Sequence, residues 1–197
     1  MKGERLAETT HLVYKYGWCV WVTGLPGSGK SVVANALREE LQRHNIEAQI
    51  LSSDALRKAV TPEPTYTEEE RDMFYNALVL VAQHLTENGI NVIIDATGNR
   101  RRYRQTARRK IRHFIEAYLK CPLEVCMERE AKRGKRFQAP KDIYKRAARG
   151  EAPTVPGIGA PYEEPIHPEV IVDSEKLSPE ECAQDILKKL AKTFSTS

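Results

Sequence analysis

Gly24-Leu25-Pro26-Gly27-Ser28-Gly29-Lys30-Ser31 decides how the rest of this chain is read. It fits G-x-x-x-x-G-K-[ST], the loop with which nucleoside triphosphate enzymes hold phosphate. Trp18-Cys19-Val20-Trp21-Val22-Thr23 precedes it as an apolar, strand-like run, and Val32, Val33, Ala36, Leu37 and Leu41 follow at helical spacing. That is the strand–loop–helix context the motif requires. The glycines let successive N–H groups turn toward an anion with no Cβ in the way. The helix that follows adds the positive end of its dipole. In such a loop Gly24 to Ser31 surround the phosphates, Lys30 reaches the β- and γ-phosphates, and the Ser31 hydroxyl ligates Mg²⁺. ATP and Mg²⁺ are therefore the expected cofactors.

Outward from the loop, strand and helix signals alternate. Ala48-Gln49-Ile50-Leu51 reads as a second strand. Met73, Phe74, Ala77, Leu78, Val81 and Leu85 mark a helix that stops near Asn88-Gly89, a helix-ending pair. Ile90 to Ile94 reads as a strand ending at Asp95, Thr106 to Arg112 continues a basic helix, and Phe114 to Leu119 is a strand stopped before Pro122. Leu123 to Arg129 begins a helix, and Val170-Ile171-Val172 is the last strand. Ser178-Pro179-Glu180-Glu181 opens the final helix with a Ser cap, Pro at the first helical position and Glu at the third. This order predicts an α/β fold of the phosphate-loop nucleoside triphosphate hydrolase type, with a five-stranded parallel sheet between helices. Ligands should gather at the carboxyl ends of the strands.

With 197 residues, the chain is expected to form a single domain over 1–197. The segment from about 130 to 165 is basic and then rich in Gly and Pro, which suits a mobile lid. A net charge of only +4 does not argue for a nucleic-acid partner, although two basic clusters stand out. One comprises Arg100, Arg101, Arg102, Arg104, Arg108, Arg109 and Lys110, the other Lys132, Arg133, Lys135, Arg136 and Lys141. Either phosphates or solvated helix faces account for such clusters. The four cysteines show no C-x-x-C spacing, which points to reduced thiols and away from a metal site. Neither a signal core at Met1-Lys2-Gly3-Glu4-Arg5 nor a membrane-length apolar run is present, so the expected location is the cytoplasm.

A loop-bound ATP needs an acceptor and a base. Asp54, at the end of the second strand, suits an acid that orients or deprotonates a hydroxyl, or a helix cap for the residues after it. Arg57, one helical turn on, suits an anionic acceptor or the solvent. Asp95 suits the strand-end carboxylate that helps hold Mg²⁺, or a turn before Gly98-Asn99. Lys30, Asp54 and Asp95 form the candidate catalytic set, with Ser31 and Asp95 for the metal. On a closing segment, Arg129, Lys145, Arg146 and Arg149 would bring positive charge to the transferred phosphoryl group.

The chain resembles the adenylylsulfate kinases, which phosphorylate the 3′-hydroxyl of adenosine 5′-phosphosulfate with ATP. Val20-Trp21-Val22-Thr23-Gly24-Leu25-Pro26-Gly27-Ser28-Gly29-Lys30-Ser31 is similar to that family's V-W-L-T-G-L-S-G-[AS]-G-K-[ST]. Pro122-Leu123-Glu124-Val125-Cys126, Ile143-Tyr144-Lys145-Arg146-Ala147, Gly157-Ile158, Ala160-Pro161-Tyr162-Glu163 and Leu177-Ser178 with Glu180-Glu181-Cys182 resemble further family segments at matching spacing. The resemblance spans roughly residues 18–190. It implies that Asp54 is the catalytic acid/base and that Arg57 and Arg71 contact the substrate. It further implies that Tyr66 falls near the substrate-stacking aromatic, that Lys145 and Ile158 lie near the substrate, and that Arg129 lies near the adenine of ATP. Arg100 is grouped with these substrate contacts. A small-molecule nucleotide partner and a homodimer are also implied, and no membrane.

On the acceptor side the chain departs from the family pattern. Ser52, Ser53 and Ala55 replace three residues of D-G-D-N, Phe74 replaces an asparagine, and Val155 replaces a second stacking phenylalanine. Ala96-Thr97-Gly98-Asn99-Arg100 replaces S-F-I-S-P and, after Asp95, looks like the D-A-T segment of other small-molecule and polynucleotide kinases. Three alternatives therefore stand beside the adenylylsulfate reading: a related kinase for another hydroxyl, a polynucleotide 5′-kinase, and a non-catalytic nucleotide sensor.

Overall fold

The computed structural model describes residues 16–132 and 142–194. Strand β1 (Cys19–Thr23) leads into helix α1 (Lys30–Arg43), and β2 (Gln49–Ser52) passes directly into α2 (Ser53–Val60). Helix α3 (Glu68–Glu87), β3 (Val92–Asp95), α4 (Arg101–Lys110) and β4 (Phe114–Lys120) follow. Then come α5 (Leu123–Lys132), α6 (Ile143–Ala148), β5 (Val170–Asp173) and α7 (Pro179–Phe194). The five strands form one parallel sheet in the order β2-β3-β1-β4-β5.

Two apolar clusters cover the two faces of this sheet. Alternate β1 residues separate cleanly: Val20 and Val22 pack with Leu37 and Leu41 of α1 and Ile186 of α7, while Cys19 and Trp21 pack with Leu78 of α3 and Ala107 of α4. Strand residues pointing to opposite faces explain why β1 is buried at every position and apolar from Cys19 to Val22. The helix ends follow local chemistry. Ser178 accepts from the Glu181 N–H at 3.1 Å, and the Glu181 carboxylate accepts from the Ser178 N–H at 2.8 Å, a reciprocal capping box at α7. Helix α3 stops at Asn88-Gly89, where Gly89 takes a φ of 80°, a left-handed value that glycine adopts without strain.

Two expectations need correction. The cap of α2 is Ser52, whose hydroxyl accepts from the Ala55 N–H at 3.4 Å, so Asp54 lies in the first helical turn and is not the cap. The basic helix ends at Lys110, not Arg112, because Ile111 turns to extended backbone and is buried. The described part of the 130–165 segment shares a small apolar core with α5 and the phosphate loop. Tyr144 and Val155 are buried with Cys121 and Cys126, and Leu25 of the phosphate loop packs against them. The Tyr144 hydroxyl donates to the Pro26 carbonyl at 2.7 Å. Arg133, Lys135, Arg136 and Lys141 of the second basic cluster lie outside the described residues.

Candidate active site

The sheet register brings the site together. Val22 of β1 and Ser52 of β2 both pair with Asp95 of β3, so the loops that leave three neighbouring strands start side by side. The loop 24–29 turns tightly over α1. Gly27 has a φ of 81° and lies where a Cβ would collide with the Cys126 carbonyl. Gly29 has a φ of 96°, yet a Cβ there would meet nothing within 4 Å, so the space before the first turn of α1 is open for an anion. The Ser174 hydroxyl, just past β5, donates to the Ser28 carbonyl at 2.9 Å and ties the loop to the far half of the sheet. The Ser28 hydroxyl is buried without a partner among the described residues.

Lys30 is nearly buried at the start of α1, and its ammonium donates to the Leu25 carbonyl at 2.8 Å, arching back across the loop. Asp95 is 7% exposed. Burial pushes its carboxyl up from the usual range, against the lowering effects of Lys30 and a hydrogen bond from Ser31, while the charge of Asp54 raises it further. The buried acid thus lies beside the loop lysine and the loop serine. Asp54 faces the same space from α2.

A cavity of about 690 Å³ runs from Gly27, Gly29, Lys30 and Ser31 past Asp54 and Asp95 to Arg57, Tyr66 and Arg71. Its far wall is built around a carboxylate that the sequence did not single out. Glu70 accepts from Arg57 at 2.7 Å, from the Thr65 N–H at 2.5 Å and hydroxyl at 2.6 Å, and from the Tyr66 N–H at 3.2 Å. Burial alone would raise its carboxyl, but the Thr65, Tyr66 and Arg57 contacts together hold it below the usual range. Arg57 lies over the Phe74 ring at 3.9 Å and the Tyr66 ring at 5.1 Å. Tyr66 has a φ of 57°, an unusual value for a side chain of that size, and Glu70 stabilises that turn. Arg71 donates to the carbonyls of Tyr66 at 3.1 Å and Thr154 at 2.8 Å, linking α3 to the stretch 151–156 that lines the cavity.

The other sequence candidates divide. Arg129 lines the cavity and donates to the Ser174 carbonyl at 2.8 Å. Arg100 does not line it; its guanidinium pairs with Glu163 at 3.1 Å and Glu68 at 3.5 Å. Lys145 points to solvent beside Asp142, and Ile158 is exposed, so neither lines the cavity. Most of the first basic cluster is structural. Arg104 is fully buried against Glu116, Arg108 pairs with Glu169, and Arg102 pairs with Asp72 and Glu68. Sequence reasoning also missed Thr65, Tyr75, Thr97 and Thr154 of the cavity wall. Thr67-Glu68-Glu69-Glu70 shows why Glu70 was hidden. Its spacing is that of a helix start, and Thr67 does cap α3 by accepting from the Glu70 N–H at 3.2 Å.

Residues 16–173 match the family described as adenylylsulphate kinase. A probable adenylyl-sulfate kinase of Archaeoglobus fulgidus is 38% identical over 157 residues, 80% of this chain and 96% of that protein. One from Pyrococcus abyssi is 35% identical, over 88% of this chain and 94% of its own length. An APS kinase of Mycobacterium tuberculosis, solved in complex with AMPPNP and APS, superposes with a TM-score of 0.78 at 30% identity, covering 89% of this chain and 98% of that one. A sugar kinase from Janibacter, 20% identical with a TM-score of 0.65 over 91% of this chain and 97% of its own, shares the fold. The chain belongs to the adenylylsulphate kinase family.

Proposed function

We propose that this chain transfers the γ-phosphoryl group of ATP to the 3′-hydroxyl of adenosine 5′-phosphosulfate. The observation that carries this reading is the single cavity bordered by Lys30 and Ser31 of the phosphate loop and by the Arg57–Tyr66–Arg71 wall, with Asp54 on its lining. Phosphoryl transfer is mostly positioning and charge stabilisation. The loop N–H groups and Lys30 draw the β- and γ-phosphates to one end. Asp54 orients the acceptor hydroxyl and takes its proton. Tyr66 offers a ring face to a base. The hydrogen bonds of Arg71 go to neutral carbonyls, whereas Arg57 is matched by Glu70, so Arg71 is the wall cation with charge left for an anionic acceptor. Arg129 stands on the donor side, by the same family resemblance.

Ser31 and Asp95 fit a nucleotide-bound Mg²⁺. A hydroxyl and one carboxylate beside phosphates are its usual protein ligands, and no cluster of three or more metal-binding side chains exists among the described residues. When bound, Mg²⁺ would neutralise charge on the β- and γ-oxygens. The 130–165 segment is read as the cover of the site, and the chain as a cytoplasmic homodimer; no described helix is long and apolar enough to cross a membrane.

The test is to incubate the protein with Mg·ATP and, separately, adenosine 5′-phosphosulfate, adenosine monophosphate, a 5′-hydroxyl oligonucleotide or no acceptor, and to quantify ADP. Selective turnover with the phosphosulfate is expected. Background turnover with it, from protein that binds ATP, would overturn the reading in favour of another hydroxyl acceptor. The pairing of Arg102, Arg104 and Arg108 with carboxylates argues against the oligonucleotide.

A further inference from the structure

Tyr75 has no part in the chemistry described so far. It follows Phe74 on α3 and is 5% exposed. Its ring stacks on Tyr103 at 4.3 Å and on Trp21 at 6.1 Å, and meets Phe74 edge-on at 5.4 Å. Three neighbouring rings therefore fix where its hydroxyl sits. That hydroxyl oxygen accepts from the Gly98 N–H at 3.1 Å, in the turn that leaves β3. Gly98 has a φ of 49°, and a Cβ there would come within 2.8 Å of the Trp21 ring, so turn, indole and phenol form one fitted unit. Among the described residues the Tyr75 hydroxyl hydrogen has no acceptor. A buried donor left unmatched costs about 1–3 kcal/mol, so an acceptor atom from outside the protein belongs there.

Tyr75 lines the cavity together with Thr97, Asp54 and Asp95. The charged groups that act on it are Arg71, Arg57 and Asp54, the acceptor-side set, and burial raises its phenol so that it remains a neutral donor at physiological pH. The turn lies in Ala96–Arg100, where the sequence departs from the family pattern, and Tyr75 directly follows Phe74, another such position.

We propose that Tyr75 is a specificity-determining residue whose O–H donates a hydrogen bond to an oxygen of the acceptor nucleotide. This inference rests on the reading of the acceptor as adenosine 5′-phosphosulfate. The test is Tyr75→Phe, which keeps the ring stack and removes one hydroxyl, with Tyr103→Phe as control. Tyr103 lies in the same stack, but its hydroxyl donates to Asp72 at 2.8 Å.

Steady-state kinetics should show the KM for the phosphosulfate raised about tenfold in Tyr75→Phe, the size of one lost hydrogen bond, with the KM for ATP and the melting temperature unchanged. Tyr103→Phe should behave as wild type. An unchanged acceptor KM, a parallel rise in the ATP KM, an unfolded Tyr75→Phe protein, or an equal effect from Tyr103→Phe would each overturn the inference while leaving the proposed activity standing. A wild-type protein that neither turns over nor binds the phosphosulfate, by calorimetry with ADP present, would overturn both.

Discussion

Replacing Glu70 with alanine should damage stability and acceptor binding together, and the size of the loss can be worked from its four contacts. The truncation strips Arg57, 8% exposed, of its only carboxylate among the described residues. Breaking a buried ion pair from one side costs about 3–5 kcal/mol. The Phe74 and Tyr66 faces still hold the cation and the cavity admits water, which places the expected loss near the lower end, about 3 kcal/mol. In a domain of this size that is a fall in melting temperature of about 6–12 °C. Urea unfolding followed by the fluorescence of Trp18 and Trp21 measures it.

The pH dependence of that loss has a definite sign. Because the folded Glu70 carboxyl is held below its ordinary value of 4.5, its contribution is complete above that value and is lost as pH falls toward the lowered one. The gap between wild type and Glu70→Ala should therefore narrow in acid. The turn bearing Tyr66 loses its anchor too, so the acceptor KM should rise more than the ATP KM. A loss under about 1 kcal/mol at pH 7, or a gap that widens in acid, would refute the view that Glu70 organises this wall.

Lys30→Ala should abolish turnover and leave the circular dichroism spectrum and cooperative unfolding intact, since the ammonium donates within its own loop, to the Leu25 carbonyl; near-normal activity would remove the loop from the mechanism. Asp54→Ala should lower kcat by about 10²-fold or more while the Kd for ATP stays within a few fold, and equal losses in both would make Asp54 a metal or structural residue. Asp95→Asn should raise the Mg²⁺ concentration needed for half-maximal rate. The same variant should melt higher than wild type without ligand at pH 7. A carboxyl whose folded pKa is raised favours the fold only while protonated, and that stability is gone once pH exceeds the folded value. A lower melting temperature would show that Lys30 and Ser31 more than offset the burial.

The parts of this molecule that were legible in the sequence are those fixed by local rules. The phosphate loop was readable because its glycines, lysine and serine act through backbone geometry at fixed spacing, and Asp95 because an acid that ends an apolar strand has few places to point. The sheet was readable because β1, β3 and β4 are mostly apolar and buried on both faces, as the strands of a doubly covered parallel sheet are. The acceptor wall was not, because its pairings span the fold. Nothing local says that the Glu70 carboxylate turns back to Thr65 and Arg57, or that Arg71 reaches Thr154, 83 residues away. The basic cluster stayed ambiguous for the same reason: Arg104 suited either a phosphate or a solvated helix face, and only the fold brings the Glu116 carboxylate and the Glu163 carbonyl onto it.

The departures from the family pattern, scattered along the chain, become local once folded. Phe74 lies under the Arg57 guanidinium at 3.9 Å, and Val155 packs into the small core with Cys121, Cys126 and Tyr144. Ser52, where the family has an acid, caps the helix that carries Asp54 and Arg57. Ala96 accepts from the Trp21 indole N–H at 2.9 Å, and Gly98 donates to Tyr75. Several replacements at the acceptor end thus meet partners among the described residues, although the Asn99 Oδ1 is buried without one, whereas the donor end keeps Lys30 and Ser31. Substitutions made one at a time into a tight wall leave cavities or unmatched polar groups costing about 1–3 kcal/mol each. The difference between this chain and its relatives should therefore show in the acceptor KM while the ATP KM stays alike.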